Sequence, residues 1–249
     1  MFRRRIIICS QHAGTQTRVR AALEDDFHHF RVEIASAEGR VTRVDGAAPR
    51  QPYTLCGDAV ARLDSLLGMP ISPTAHEVTR VTDPTEQCTH LFELAGLAIA
   101  AAARGTALRL YDVEVPVRQK GRTRPRLSRD GAALLAWEVL GSAIQGPMPY
   151  AGVDLYQGMA RWALTALSTD EAEAALVLRR ATVISLGRGM PLDAQVHAKP
   201  SGNCYSQQPR RASEALRVIG STLDFACTPE RLCADDLGWL SFKEYGDGC

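Results

Sequence analysis

The stretch Glu86-Gln87-Cys88-Thr89-His90-Leu91-Phe92-Glu93-Leu94 places a thiol, an imidazole and a carboxylate within six residues. It opens an Ala-rich apolar segment that reads as a helix. Residues three apart share a helix face, so His90 and Glu93 can point to one cavity. Cys88 falls in the expected first turn, where free backbone N–H groups and the helix dipole favour a thiolate. Two chemistries fit. His90 can do acid–base work oriented by Glu93. Alternatively, Cys56, Cys88 and His90 can ligate a single Zn or Fe ion, since thiolate and imidazole suit both metals. The purely structural reading stays beside these: a small buried Cys, a locally hydrogen-bonded His and a solvated Glu.

Other candidates lie along the chain. His28 and His29 sit between two strands, and alternation sends them to opposite faces. One of them can therefore join the catalytic set of His90, Glu93 and Cys88. Arg31 and Arg50 are candidate carboxylate binders, because a guanidinium grips a carboxylate at two points. Tyr53 lies beside them. A Gly- and Pro-punctuated loop over residues 187–206 holds His197, Lys199 and Cys204, and Lys199 can neutralise an acidic substrate. Tyr150 and Tyr156 can donate to an oxyanion. Gln119 to Arg126 forms a basic tip that reads as a solvated hairpin turn.

Composition narrows the function class. Among 249 residues, Lys+Arg is 29 and Asp+Glu is 28, a net of +1, which argues against a general nucleic-acid binder. No apolar run approaches the ~18 residues of a membrane span. Seven Cys with irregular spacing point to a reduced, cytoplasmic protein. There is no P-loop, no GxGxxG after a strand and no GxSxG elbow, which counts against an ATPase, a dinucleotide oxidoreductase and an ordinary α/β-hydrolase. The expected partner is a small-molecule substrate, with neither nucleic acid nor membrane; a homo-oligomer is left open.

The elements that must position these groups follow from periodicity. Residues 3–9, 15–23, 31–37 and 40–47 alternate as strands, and their short links predict an antiparallel meander. Leu55 to Leu67 has helical spacing. A Pro-rich loop over 69–85 leads to a helix over 85–104, with Asp83 as N-cap and Gly105 as terminator. Strands are expected over 107–117 and 132–140. Helices follow from Leu155, over 171–181 and over 209–219, then an irregular tail over 225–249. The fold class is α+β: an antiparallel sheet meander packed with helices (1–105) and a second α+β part (106–249) sharing the core.

The pieces Asp25-Asp26-Phe27-His28-His29-Phe30-Arg31-Val32-Glu33, Pro52-Tyr53-Thr54-Leu55-Cys56 and Cys88-Thr89-His90-Leu91 resemble the bacterial domain-of-unknown-function family 2889. Leu108–Val115, Ala133–Val139, Gly202-Asn203-Cys204 and Gly220 to Phe225 fit the same pattern. Gln87 stands where that family is expected to carry Gly. The resemblance implies an uncharacterised bacterial protein met near catabolic genes, and it supplies no reaction. Iron–sulfur scaffold proteins of the NifU-like type are similar at the level of fold. The leading expectation is a cofactor-light lyase or decarboxylase acting on a small organic acid, aromatic acids included. The alternatives are a metal- or iron–sulfur-handling accessory protein and a non-catalytic small-molecule binder.

Overall fold

The computed structural model describes residues 1–242. Four strands, β1 (Phe2–Ala13), β2 (Gln16–Asp25), β3 (His29–Ala37) and β4 (Arg40–Arg50), form the meander. The β3–β4 turn is Glu38-Gly39, with φ of 50° and 73°. Positive φ at both central residues gives the turn a twist that matches the flanking strands. β5 (Leu108–Val115) lies antiparallel to β1, with Ile6 opposite Tyr111. The chain then gives β6 (Arg122–Thr123), β7 (Arg126–Arg129), β8 (Ala132–Ala136), β9 (Glu138–Leu140) and β10 (Ala143–Gly146). The main sheet has the order β4-β3-β2-β1-β5-β7-β8, and β10-β9-β6 form a small second sheet.

Helix α1 (Thr89–Arg104) packs on the β1–β3 side of the main sheet. Its alanines let it approach closely: Ala95, Ala98 and Ala100 have no exposed surface. Gly105 ends it with φ of 66°, the left-handed conformation that closes many helices. Two further helices, α2 (Met159–Ala166) and α3 (Thr169–Ile184), pack on each other, and α3 also touches β5, β7 and β8. Ser168 and Glu171 start α3 with a reciprocal capping box. A short helix, α4 (Leu237–Leu240), rests against β2. One hydrophobic cluster includes Phe2, Leu91, Tyr111, Val177 and Tyr205, so both expected parts share a core. Among the described residues, no helix is long and apolar enough to cross a membrane.

Several element boundaries differ from expectation. The helix expected over 85–104 begins four residues later. Asp83 caps a separate 3₁₀ turn, Pro84–Glu86, and accepts from Thr85 N. Gln87 is extended before α1 starts. The 55–67 segment is a 3₁₀ helix, Thr54–Leu66, burying Cys56, Ala59, Leu63 and Leu66. Spacings of three and four residues suit either pitch, so periodicity alone leaves the pitch open. The strand over 132–140 breaks at Trp137, whose side chain is buried. No helix forms over 209–219. Leu216 and Arg217 are drawn into bridges with His197 and Tyr53, and backbone pairing there replaces helical bonds. The 225–249 tail contains α4 and two 3₁₀ turns, while residues 243–249 lie outside the described residues.

Candidate functional site

The first group of site residues gathers where β1, the β2–β3 turn and α1 meet. Phe2, Arg4, Ile6 and Ile8 share the buried face of β1, so Arg4 enters the core with no exposed surface. Its charge is met by Asp25 at the end of β2. Arg4 Nε and Nη2 donate to Asp25 Oδ2 at 3.0 and 2.6 Å. Asp25 Oδ1 accepts from Phe27 N (2.8 Å), His28 N (2.9 Å) and His28 Nδ1 (3.0 Å). Burial alone would raise the Asp25 carboxyl, but the His28 imidazole and the Arg4 guanidinium together hold it far below the usual carboxylate range.

His90, in the first turn of α1, lies flat on His28. The ring centroids are 3.8 Å apart and the planes 28° from parallel, and Phe30 stacks on the same ring at 5.7 Å. Burial, with His28 and Arg4 nearby, pushes the His90 imidazole well below its ordinary range, so it is neutral. His90 Nε2 is buried without a hydrogen-bond partner, and Nδ1 lies 3.5 Å from Thr89 Oγ1.

Glu93 takes a different direction from His90, although the two are three residues apart. Glu93 Oε2 lies 3.5 Å from Arg4 Nη1 and 3.2 Å from Arg180 Nε on α3. Burial raises its proton affinity, opposed by Arg180 and Arg4. It lines a cavity of about 360 Å³ between α1, α2, α3 and the 3₁₀ turn Ala75–Arg80. Phe92, Leu97, Leu164, Leu176 and Val177 supply apolar wall, and Arg179 and Arg180 supply guanidinium groups. The helix pair therefore joins a carboxyl of raised proton affinity to an apolar-walled cavity that also carries guanidinium groups, while His90 sits outside its lining.

The metal set proposed from sequence is not assembled. Among the described residues, Asp25, His28 and His90 form the one group of three or more His, Cys, Asp or Glu with ligand atoms within 4.8 Å of one another. Cys56 and Cys88 do not join it. Because α1 starts at Thr89, Cys88 is an extended cap residue buried in the core, and burial drives its thiol far above the normal range. Cys56 is pushed up to about 11 by burial, and its sulfur accepts from Ser206 Oγ at 3.4 Å. The thiolate expected at Cys88 is therefore a neutral buried thiol. The Asp25 group does not fit an ion either. Five donors use the carboxylate's roughly four lone-pair sites.

The remaining candidates are dispersed. His29 faces away from His28, as alternation requires. Its Nε2 lies 2.8 Å from Asp236 Oδ2, and its Nδ1 lies 3.8 Å from Glu24 Oε1. Arg31 pairs with the same Asp236. Arg50 donates to the carbonyls of Asp25, Asp26, His28 and Ser221 and pairs with Glu24. Both arginines thus hold the C-terminal segment and the β2–β3 turn, and neither lines the cavity. Tyr53 OH donates to Gln195 Oε1 at 3.0 Å. His197 and Lys199 are exposed. Tyr150 is packed between Trp137 and Trp162, and Tyr156 is exposed. Gln87, where Gly was expected, ties the entry of α1 to the 3₁₀ helix by donating to Arg62 O (3.0 Å) and Ser65 Oγ (3.2 Å).

Arg4, Asp25, Arg179 and Arg180 were missed as site residues. A signal existed for three of them. Arg4 falls on the same two-residue period of β1 as Phe2, Ile6 and Ile8, and Arg179-Arg180 interrupts the apolar run Leu176-Val177-Leu178.

Fold and site define an α+β protein with an antiparallel sheet, a buried Arg–Asp–His unit beneath it and a cavity between its flanking helices. Residues 9–104 match the model of the family described as "Protein of unknown function (DUF2889)", and the chain resembles that family over this stretch. The matched residues run from within β1 to the end of α1 and include Asp25, His28, His90 and Glu93. The pieces noted after residue 104 lie outside them. No curated protein matches the chain.

Proposed function

We propose that the protein is a lyase-type enzyme acting on a small organic acid, aromatic acids included, bound in the cavity between α1 and α3. The observation that carries this reading is Glu93: a largely buried carboxyl with raised proton affinity, in the cavity wall beside guanidinium groups. A carboxyl whose proton affinity is raised by burial is suited to moving a proton at bound substrate. In an elimination, ionised Glu93 accepts a proton from the substrate carbon next to the carboxylate. The C–H electron pair becomes the new double bond, and the leaving group departs with its own pair. Decarboxylation fits less well, because a guanidinium stabilises the carboxylate that the reaction must expel. Glu93, not His90, is the acid–base group in this reading, since His90 does not line the cavity. Arg4, itself held by Asp25, meets Glu93 from behind.

The test is turnover of a panel of 2- and 3-substituted monocarboxylic acids, followed by the absorbance of the conjugated product. Glu93→Gln should lower kcat by about 100-fold or more while the melting temperature holds. Turnover undiminished in that variant sinks the reading. Ligand binding with no product for any acid would leave a non-catalytic binder.

A further inference from the structure

The cavity wall carries two carboxylates and two guanidinium groups, but one of the carboxylates is already answered from behind the wall. Five of its lining residues are titratable: His76, Glu93, Glu173, Arg179 and Arg180. Glu93 is paired by Arg180 at 3.2 Å and by Arg4 at 3.5 Å, and Arg4 in turn answers Asp25. These two carboxylates and two guanidinium groups sum to zero. Glu173 is held from behind by Arg104 at 3.0 Å and Arg109 at 3.9 Å, and it also accepts from Tyr111 OH. Burial keeps His76 below its ordinary range, with Arg180 and Arg179 adding to the effect, so its imidazole brings no charge.

Arg179 is left over. It is half-buried in α3 and donates through Nε to Leu155 O at 2.6 Å. Among the described residues it has no carboxylate within 4.0 Å, and Glu93 and Asp154 act on it only from farther away. A guanidinium set into an apolar wall has lost much of its water, and an unpaired charge there is costly unless an anion meets it. Its fork of donors matches the two oxygens of a carboxylate. The volume of about 360 Å³ lies at the small end of ligand pockets.

We infer that the cavity selects a monoanion: a carboxylate on an apolar body of about one aromatic ring, anchored at Arg179 and packed against Phe92, Leu176 and Val177. A neutral isostere would leave Arg179 unpaired. A dianion would bring a second charge with no free cation to meet it. This rests on the reading of the cavity as the substrate site, but it concerns binding and stands or falls apart from turnover.

Calorimetric titration of the full chain at neutral pH, with benzoate, benzamide and phthalate as probes, tests it. Benzoate should bind, and benzamide and phthalate should each bind at least about tenfold more weakly, the worth of one charged hydrogen-bonded contact. Arg179→Met should bring benzoate down to the benzamide level, and the control Arg210→Met, on an exposed loop, should bind as the wild type does. Equal affinity for benzoate and benzamide, undiminished benzoate binding in Arg179→Met, or no binding of any probe overturns the inference. Benzoate selectivity in the wild type that is lost in Arg179→Met, with no turnover of any acid by the wild type, would uphold the monoanion site and reject the enzymatic reading.

Discussion

The imidazole of His90, on the first turn of α1, stacks on that of His28, at the start of β3, with 3.8 Å between ring centroids. The contact joins helix to sheet above a carboxylate, Asp25, that holds only the His28 ring. His28 thus hydrogen-bonds the carboxylate, whereas His90 makes no bond to it and is kept neutral by burial.

That asymmetry sets a pH dependence. The folded protein holds His90 well below its ordinary value of 6.5, and the unfolded chain does not. Below about 6.5 the unfolded state therefore binds the extra proton, and stability falls as the pH falls. His90→Phe keeps a stacking ring and removes the titration. Denaturant unfolding at pH 5 and pH 7.5 should show a smaller acid loss in the variant. An equal loss would place the acid sensitivity elsewhere.

Asp26, next in sequence to Asp25, behaves in the opposite sense. Burial pushes its carboxyl up to about 6, although Arg188 and the Phe225 N–H oppose the shift. A carboxyl raised in the folded state adds stability at low pH, which is lost as the pH rises from 3.8 through about 6. Asp26→Asn should therefore stabilise the protein at pH 8 by about 1–3 kcal/mol and leave it nearly unchanged at pH 4. Melting curves at the two pH values measure the difference.

Gly96 sets how closely α1 approaches the 3₁₀ turn Ala75–Arg80. A Cβ there would stand 2.3 Å from the Ala75 carbonyl oxygen, a backbone atom. Ala75 opens the 3₁₀ turn that forms the facing wall. Gly96→Ala must displace that turn and should cost about 1–3 kcal/mol, as overpacking does. Benzoate affinity should fall with it. A melting temperature equal to the wild type's would contradict the close approach.

Asp236 clamps the C-terminal segment onto the sheet. It has no exposed surface and pairs with both His29 and Arg31. Asp236→Ala leaves both partners without their carboxylate and should cost about 3–5 kcal/mol. Limited proteolysis should then cut the chain between residues 225 and 242 faster than in the wild type. Cleavage elsewhere first would show that other contacts hold the segment.

The local elements were legible because their signals are local. Ile6, Val19, Val32 and Val41 mark strands by alternation, Glu38-Gly39 marks its turn by conformational need, and Gly105 marks the end of α1. The placement of His28 and His29 on opposite faces follows from the same two-residue period. The sequence by itself therefore determined the antiparallel meander, the Ala-rich helix that covers it and the likeness to an uncharacterised family. Tertiary structure decided which polar groups meet. Arg4 finds Asp25 across a strand pair, and Glu93 finds Arg180 across 87 residues of chain. Asp236 arrives at His29 from a stretch with no periodicity at all. Such pairings depend on helix rotation and on where distant segments dock, and a rotation of one residue separates His90 in the core from Glu93 at the cavity. No spacing rule carries that information, because the energy that selects it is packing and desolvation summed over the whole core.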